Sequence, residues 1–151
     1  MEKWMRYALY GLLLWFFAAI YALWHIDCLS GLLAGMLWRE SRRCTAIFGI
    51  IGAFLMTARQ ETDSFAVLFW LPAMLFLGRY AVPRLRGTVF SVWAAALLLG
   101  FGGMLTRAGA AWCLGISAEP DWLRQGIGST ISAVLCFPLC IGIRRNRRNA
   151  W

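Results

Sequence analysis

His25 and Asp27 form the one histidine–carboxylate pair in the sequence. Such a pair could relay a proton or hold a ligand deep in a membrane bundle, where an ionisable group is costly and so usually functional. The pair falls instead in a short turn between two apolar runs. There Asp27 is expected to cap the helix that follows, and His25 to sit among lipid headgroups. The five cysteines, Cys28, Cys44, Cys113, Cys136 and Cys140, form no C-x-x-C, and one histidine leaves a structural zinc site short of ligands. Cys136 and Cys140 are four apart on one helical face, where thiols behave as small apolar groups. The segment GIGST, Gly126 to Thr130, lacks the residue order and the lysine of a phosphate-binding loop. No Ser-His-Asp, paired-carboxylate or H-E-x-x-H arrangement lies in or near the apolar runs, and no ionisable residue sits in the middle of one. These residues point to a scaffold or binder rather than an enzyme, with no catalytic, cofactor-binding or metal-binding residues.

The elements that position them are apolar blocks separated by short charged loops. Of 151 residues, 61% are hydrophobic and 15% charged, far from a soluble average. The pattern predicts an all-α membrane protein, one polytopic domain over 1–151, folded as a compact bundle of six transmembrane helices. The spans are 5–24, 25–38, 44–58, 64–82, 88–106 and 123–143, with a basic tail over 144–151. The second and third are short. Counted back to Trp24, the second is roughly 22 Å of helix at ~1.5 Å per residue, so it is little tilted, sheltered by neighbours, or re-entrant. The basic cluster Arg39, Arg42 and Arg43 favours a full crossing. Pro72 predicts a kink in the fourth span. The longest connection, Arg107 to Gln125, begins with AGAAWCLGI, apolar enough to extend the fifth helix or lie in the interface. An N-terminal signal peptide is disfavoured, because the first apolar run is too long for an h-region and no cleavage site follows it.

Charge sets the orientation. Six crossings put Lys3, Arg6, Arg39, Arg42, Arg43, Arg79, Arg84, Arg86, Arg144, Arg145, Arg147 and Arg148 on one side, against Arg59, Arg107 and Arg124 on the other. The basic side is cytoplasmic by the positive-inside rule, so both termini lie inside. The net charge of +8 is therefore read as matching the anionic inner leaflet, with no nucleic acid implied. Arg39, Arg42, Arg43, Arg84, Arg86 and the four tail arginines are the expected leaflet anchors. Cys28 and Cys113 then share the outer, oxidising side, where a disulfide is permitted. Trp4, Trp24, Trp38, Trp112 and Trp122 fall near span ends, as interfacial aromatics do. Small residues four apart, Gly31 and Gly35, Thr45 and Gly49, Gly49 and Ala53, let helix backbones approach, either within the bundle or against a partner.

The order of spans and loops resembles the rod shape-determining MreD family over nearly the whole chain. The resemblance is carried by a short second span ending GMLWRESRR, a third beginning FGIIGAFL, a fourth closing with GRYAVPRLR, and a last helix WLRQGIGSTISAVLCFPLCIGIRR with Pro138 near its inner end. One position departs: the family often carries an aspartate toward the end of the third span, where this chain has Met56 and Thr57. The resemblance implies a multi-pass protein of the bacterial inner membrane, a non-enzymatic scaffold of cell-wall elongation. It implies partners of the MreC, RodA and PBP2 type, with MreB reached indirectly. The candidate helix-packing or partner interface is Gly31, Gly35, Gly49, Ala53 and Pro138. A second architecture would read alike from hydropathy, the substrate-binding subunit of an energy-coupling-factor vitamin transporter. That reading needs polar ligand contacts in the outer half of the bundle, for which His25, Asp27, Arg107 and Trp112 are the candidates.

Overall fold

The computed structural model describes residues 3–56, 65–85, 87–116 and 120–141. Arg86 and the tail arginines Arg144, Arg145, Arg147 and Arg148 lie outside them, as do the polar loop around Arg59 and the side chain of Cys140. The described residues are all-helical, without strands. The elements are α1 (Lys3–Trp24), α2 (Leu29–Arg39), α3 (Arg42–Met56), α4 (Ala66–Phe76), a π-helical turn (Leu77–Ala81), α5 (Val82–Arg84), α6 (Val89–Cys113) and α7 (Trp122–Ile141). Because α4, the π turn and α5 run on as one body, the described residues form six rods. Three of them, Lys3–Trp24, Ala66–Arg84 and Val89–Cys113, are long and apolar enough to cross a membrane. That marks a membrane protein.

The rods alternate in direction, which gives the bundle two chemically different ends. One gathers Lys3, Arg6, Arg39, Arg42 and Arg84, and is called here the basic end. The opposite end holds Trp24, Asp27, Trp112 and Trp122. Local signals explain the boundaries. The α1 helix stops at Trp24, and His25 takes a left-handed backbone (φ 57°) while its N–H still bonds the Tyr21 carbonyl at 2.9 Å. The α6 helix starts at a capping box, in which Thr88 Oγ1 accepts from Ser91 N–H and Ser91 Oγ accepts from Thr88 N–H. Regular α geometry lapses at Leu77–Ala81, where Val82 N–H reaches back five residues to the Leu77 carbonyl. Pro83 follows and has no N–H to give.

The centre of the bundle is α2. Every residue from Leu29 to Trp38 is buried, and α6 and α7 close over the helix on either side. Its 11 residues make only about 16 Å of helix, half a hydrocarbon core. Of the sequence's alternatives, sheltering by neighbours is the one observed. The helix also begins later than expected, at Leu29 rather than at residue 25, because His25 to Cys28 form the turn that seats Asp27 inside. Lipid supplies no hydrophobic drive between helices, so close backbone approach must hold them. A methyl at Gly31 would strike the Ser132 hydroxyl and the Ala133 backbone nitrogen of α7, and one at Gly49 would come within 2.8 Å of Met74 Cε. Gly31, Gly35, Gly49 and Ala53 are all buried. They serve packing within this bundle, and a partner reaches them only if a neighbouring rod moves away.

Other boundaries shift for identifiable reasons. The α3 helix starts at Arg42, which puts Arg42 and Arg43 in its first turn. The α6 helix runs seven residues past the expected end at 106, taking in all of the apolar AGAAWC. That correction matters most, because it places Arg107 inside a helix rather than in an outer loop. Trp4, Trp24, Trp112 and Trp122 are exposed, whereas Trp38 is buried and donates its indole N–H to the Leu85 carbonyl at 3.3 Å.

Candidate functional site

The opposite end holds a buried polar network assembled from four elements. Asp27 sits fully buried in the α1–α2 turn. Its Oδ1 accepts from the N–H groups of Leu29 (3.0 Å) and Ser30 (3.4 Å), so the expected helix-capping role is the one it plays. Its second oxygen, Oδ2, faces Arg107 Nη2 of α6 at 3.6 Å and accepts from Gln125 Nε2 of α7 at 3.1 Å. Gln125 closes a triangle, its Oε1 accepting from Arg107 Nη2 at 3.3 Å. The Arg107 guanidinium also lies over the Tyr21 ring, 5.3 Å from its centroid, a cation–π contact from α1.

The network continues inward along α7. Gln125 Nε2 also donates to Ser129 Oγ (3.2 Å), which shares a hydrogen bond with Ser30 Oγ of α2 at 3.1 Å, and Ser132 Oγ donates to the Ser129 carbonyl at 3.2 Å. All of these side chains are buried. Gly100 of α6 makes room for them, since a methyl there would overlap Ser129 Oγ and lie 2.5 Å from Gln125 Nε2. Gly128 allows α7 to rest on the Asp27 carbonyl, 2.7 Å from where its methyl would be. The result is a carboxylate and a guanidinium withdrawn from solvent, each held by other polar groups, with α1, α2, α6 and α7 tied through them.

The sequence places Asp27 at a helix start, as observed, and Arg107 at the head of the connection after the fifth span. The structure corrects the second point: the fifth helix extends through that stretch and takes in Arg107. Gln125, Ser129 and Ser132 went unremarked, although polar residues at i, i+4 and i+7 in an otherwise apolar run trace one helical face. His25 is exposed, its ring edge-on to Tyr21 at 6.1 Å, and takes no part in the network; Trp112 is also exposed. Cys28 is buried, Cys113 is exposed, and both are free thiols, so the permitted disulfide does not form. Among the described residues no group of three or more potential ligands could hold a metal ion.

No family model, curated protein or solved structure matches the chain. Its functional chemistry has to be read from its own residues.

The basic end is built differently. Glu40, the one acid among the described residues there, lies 3.4 Å from Arg6 Nη1 and 3.9 Å from Arg39 Nε, and faces the Tyr10 hydroxyl at 3.4 Å. Beside it opens an apolar groove of about 510 Å³, lined by Trp38 of α2, Leu77 and Ala81 of the π turn, Leu85, and Ala94 and Leu98 of α6. Around the π turn stand three arginines. Arg42 lays its stem against Gly78, its Cγ 3.0 Å from where a methyl would be, while Arg79 and Arg84 place their guanidinium carbons 5.8 and 6.0 Å from the Tyr80 ring centroid.

Proposed function

We propose that the chain is a non-catalytic scaffold of the bacterial inner membrane, crossing six times with both termini in the cytoplasm, and that it serves cell-wall elongation as MreD-type proteins do. The observation that carries the scaffold reading is the joining of four elements through one buried polar network. Its carboxylate, amide, hydroxyls and the Nη2 of Arg107 bond one another, while Nη1 of Arg107 is buried without a hydrogen-bond partner; tying elements together is how a fixed framework uses buried polar groups. A catalyst or carrier would instead aim such groups at a space for substrate. Partners of the MreC, RodA and PBP2 type would then dock on the exterior of the bundle, with MreB reached indirectly.

A second reading has one specific observation in its favour. Asp27, Arg107 and Gln125 meet at the end where the substrate-binding subunit of an energy-coupling-factor transporter would hold a vitamin. Purification of the tagged protein from its host in mild detergent separates the two. Recovery of a single-span periplasmic coiled-coil protein together with wall synthases supports the scaffold. Recovery of paired ATPases with a large membrane coupling subunit overturns it. Orientation is tested by attaching a reporter at the C-terminus; activity of a cytoplasmic reporter is expected, and activity of a periplasmic one contradicts six crossings with an internal N-terminus.

A further inference from the structure

We propose that the part of the fourth rod nearest the basic end, Leu77 to Leu85, is a hinged flap. It swings about the π turn between the open groove and a closed arrangement in which Ala81 and Leu85 rest on Ala94 and Leu98 of α6. The two halves of this rod are held in different ways. The α4 half is interlocked with its neighbours. Phe69 fills the space that a methyl at Gly102 of α6 would take, and Trp70, fully buried, lies 2.6 Å from where a methyl at Gly103 would be. The Trp70 indole N–H also bonds the Leu99 carbonyl at 2.9 Å, and Met74 presses on Gly49 of α3.

Beyond Met74 that fit stops. Leu77, Ala81 and Leu85 line the groove of about 510 Å³ from the rod, and Ser91, Ala94, Ala95 and Leu98 line it from α6. Gly78 meets the flexible stem of Arg42 rather than a ring or a backbone. Among the described residues a single hydrogen bond ties Leu77–Leu85 to another element, from the Trp38 indole to the Leu85 carbonyl at 3.3 Å. The backbone ladder is also broken here. Pro72 and Pro83 have no N–H to give, and between them the helix widens so that Val82 N–H reaches the Leu77 carbonyl. Such π turns recur at functional sites within helices, and a few irregular residues suffice for a hinge. Ala81 on one wall, with Ala94 and Ala95 on the other, lets the two backbones approach. Trp38 belongs to α2, which α6 and α7 enclose, so its bond to Leu85 is the latch of the open arrangement.

The test is double electron–electron resonance on the full chain in lipid nanodiscs, with spin labels carried on p-acetylphenylalanine so that the native cysteines stay in place. One pair of labels replaces Arg84 on the flap and Arg43 in the first turn of α3; the control pair replaces Leu68 of α4 and Leu105 of α6, all four being exposed positions. Two distances are expected for the flap pair and one for the control. Trp38→Phe keeps a ring and removes the donor, and should raise the closed-to-open ratio by about threefold, the weight of one such bond between membrane helices. Ala94→Trp fills the groove from an exposed lining position and should abolish the closed distance. A single flap distance no broader than the control overturns the proposal, as does a ratio that either variant leaves unchanged. Hydrogen exchange of the unaltered chain is the second measurement. Amides of Leu77–Leu85 are expected to exchange faster than those of Val92–Leu98 across the groove, and equal protection overturns the flap.

Discussion

The two ends of the bundle handle charge in opposite ways. At the end opposite the basic one, a carboxylate and a guanidinium are drawn inside among polar partners; Asp27 accepts from two backbone N–H groups and from Gln125 besides facing Arg107. At the basic end charge is abundant and mostly exposed, and its single described acid is shared between arginines that keep some contact with solvent. Each end leaves one buried nitrogen without a hydrogen-bond partner, Nη1 of Arg107 and Nε of Arg6. The difference is one of exposure. Asp27 and Arg107 are both withdrawn and so strongly coupled, whereas Arg6 and Arg39 keep contact with solvent around Glu40 and are better screened. The end that holds Asp27 is therefore fitted to fix the fold, and the basic end keeps most of its charge at the surface.

The largest effect should come from breaking the Asp27–Arg107 pair. Arg107→Leu leaves the Asp27 carboxylate buried without its cation, held only by Gln125 and the N–H groups of Leu29 and Ser30, and is expected to cost about 3–5 kcal/mol, read as a lowered unfolding midpoint in detergent. Next in size is Gly31→Leu, which drives a side chain into the α7 backbone and should cost about 1–3 kcal/mol or prevent α7 from docking; protease resistance of the purified protein reports it. Glu40→Gln makes the matching break at the basic end. Because Arg6 and Arg39 keep access to water, a loss of no more than about 1 kcal/mol is expected, lessened further by salt, in the same unfolding assay. The smallest change is Ser30→Ala, which removes one hydroxyl bond to Ser129 for about 0.6 kcal/mol, the usual size of such a bond between membrane helices. If Glu40→Gln proved as damaging as Arg107→Leu, the contrast between the two ends would fail.

Much of the fold was legible because hydropathy and charge are properties of stretches. Six apolar blocks became six rods, and the arginines between alternate blocks assembled at one end. The short second block was legible as an anomaly, and the structure explains it as a helix enclosed by others. The site was not legible, because it depends on single residues brought together across 98 positions, as Asp27 and Gln125 are. Arg107 looked like a loop residue because hydropathy falls where it stands, yet AGAAWC beyond it continues the helix. Gln125 and Ser129 lie in the first turns of the last apolar span, where nothing local in the sequence shows what they face. The glycines were legible as close-approach positions, but only the structure says that Gly31 faces α7 and Gly100 faces the network.

The most direct test of the buried Asp27–Arg107 network is a double-mutant cycle on the two residues, measured by unfolding of Asp27→Leu, Arg107→Leu and the double variant. If each charge is held chiefly by the other, both single variants lose several kcal/mol, and the double variant, with no unpaired charge left inside, recovers at least about 2 kcal/mol of their summed loss. Losses that add to within about 0.5 kcal/mol would contradict the account, since the two residues would then be acting independently.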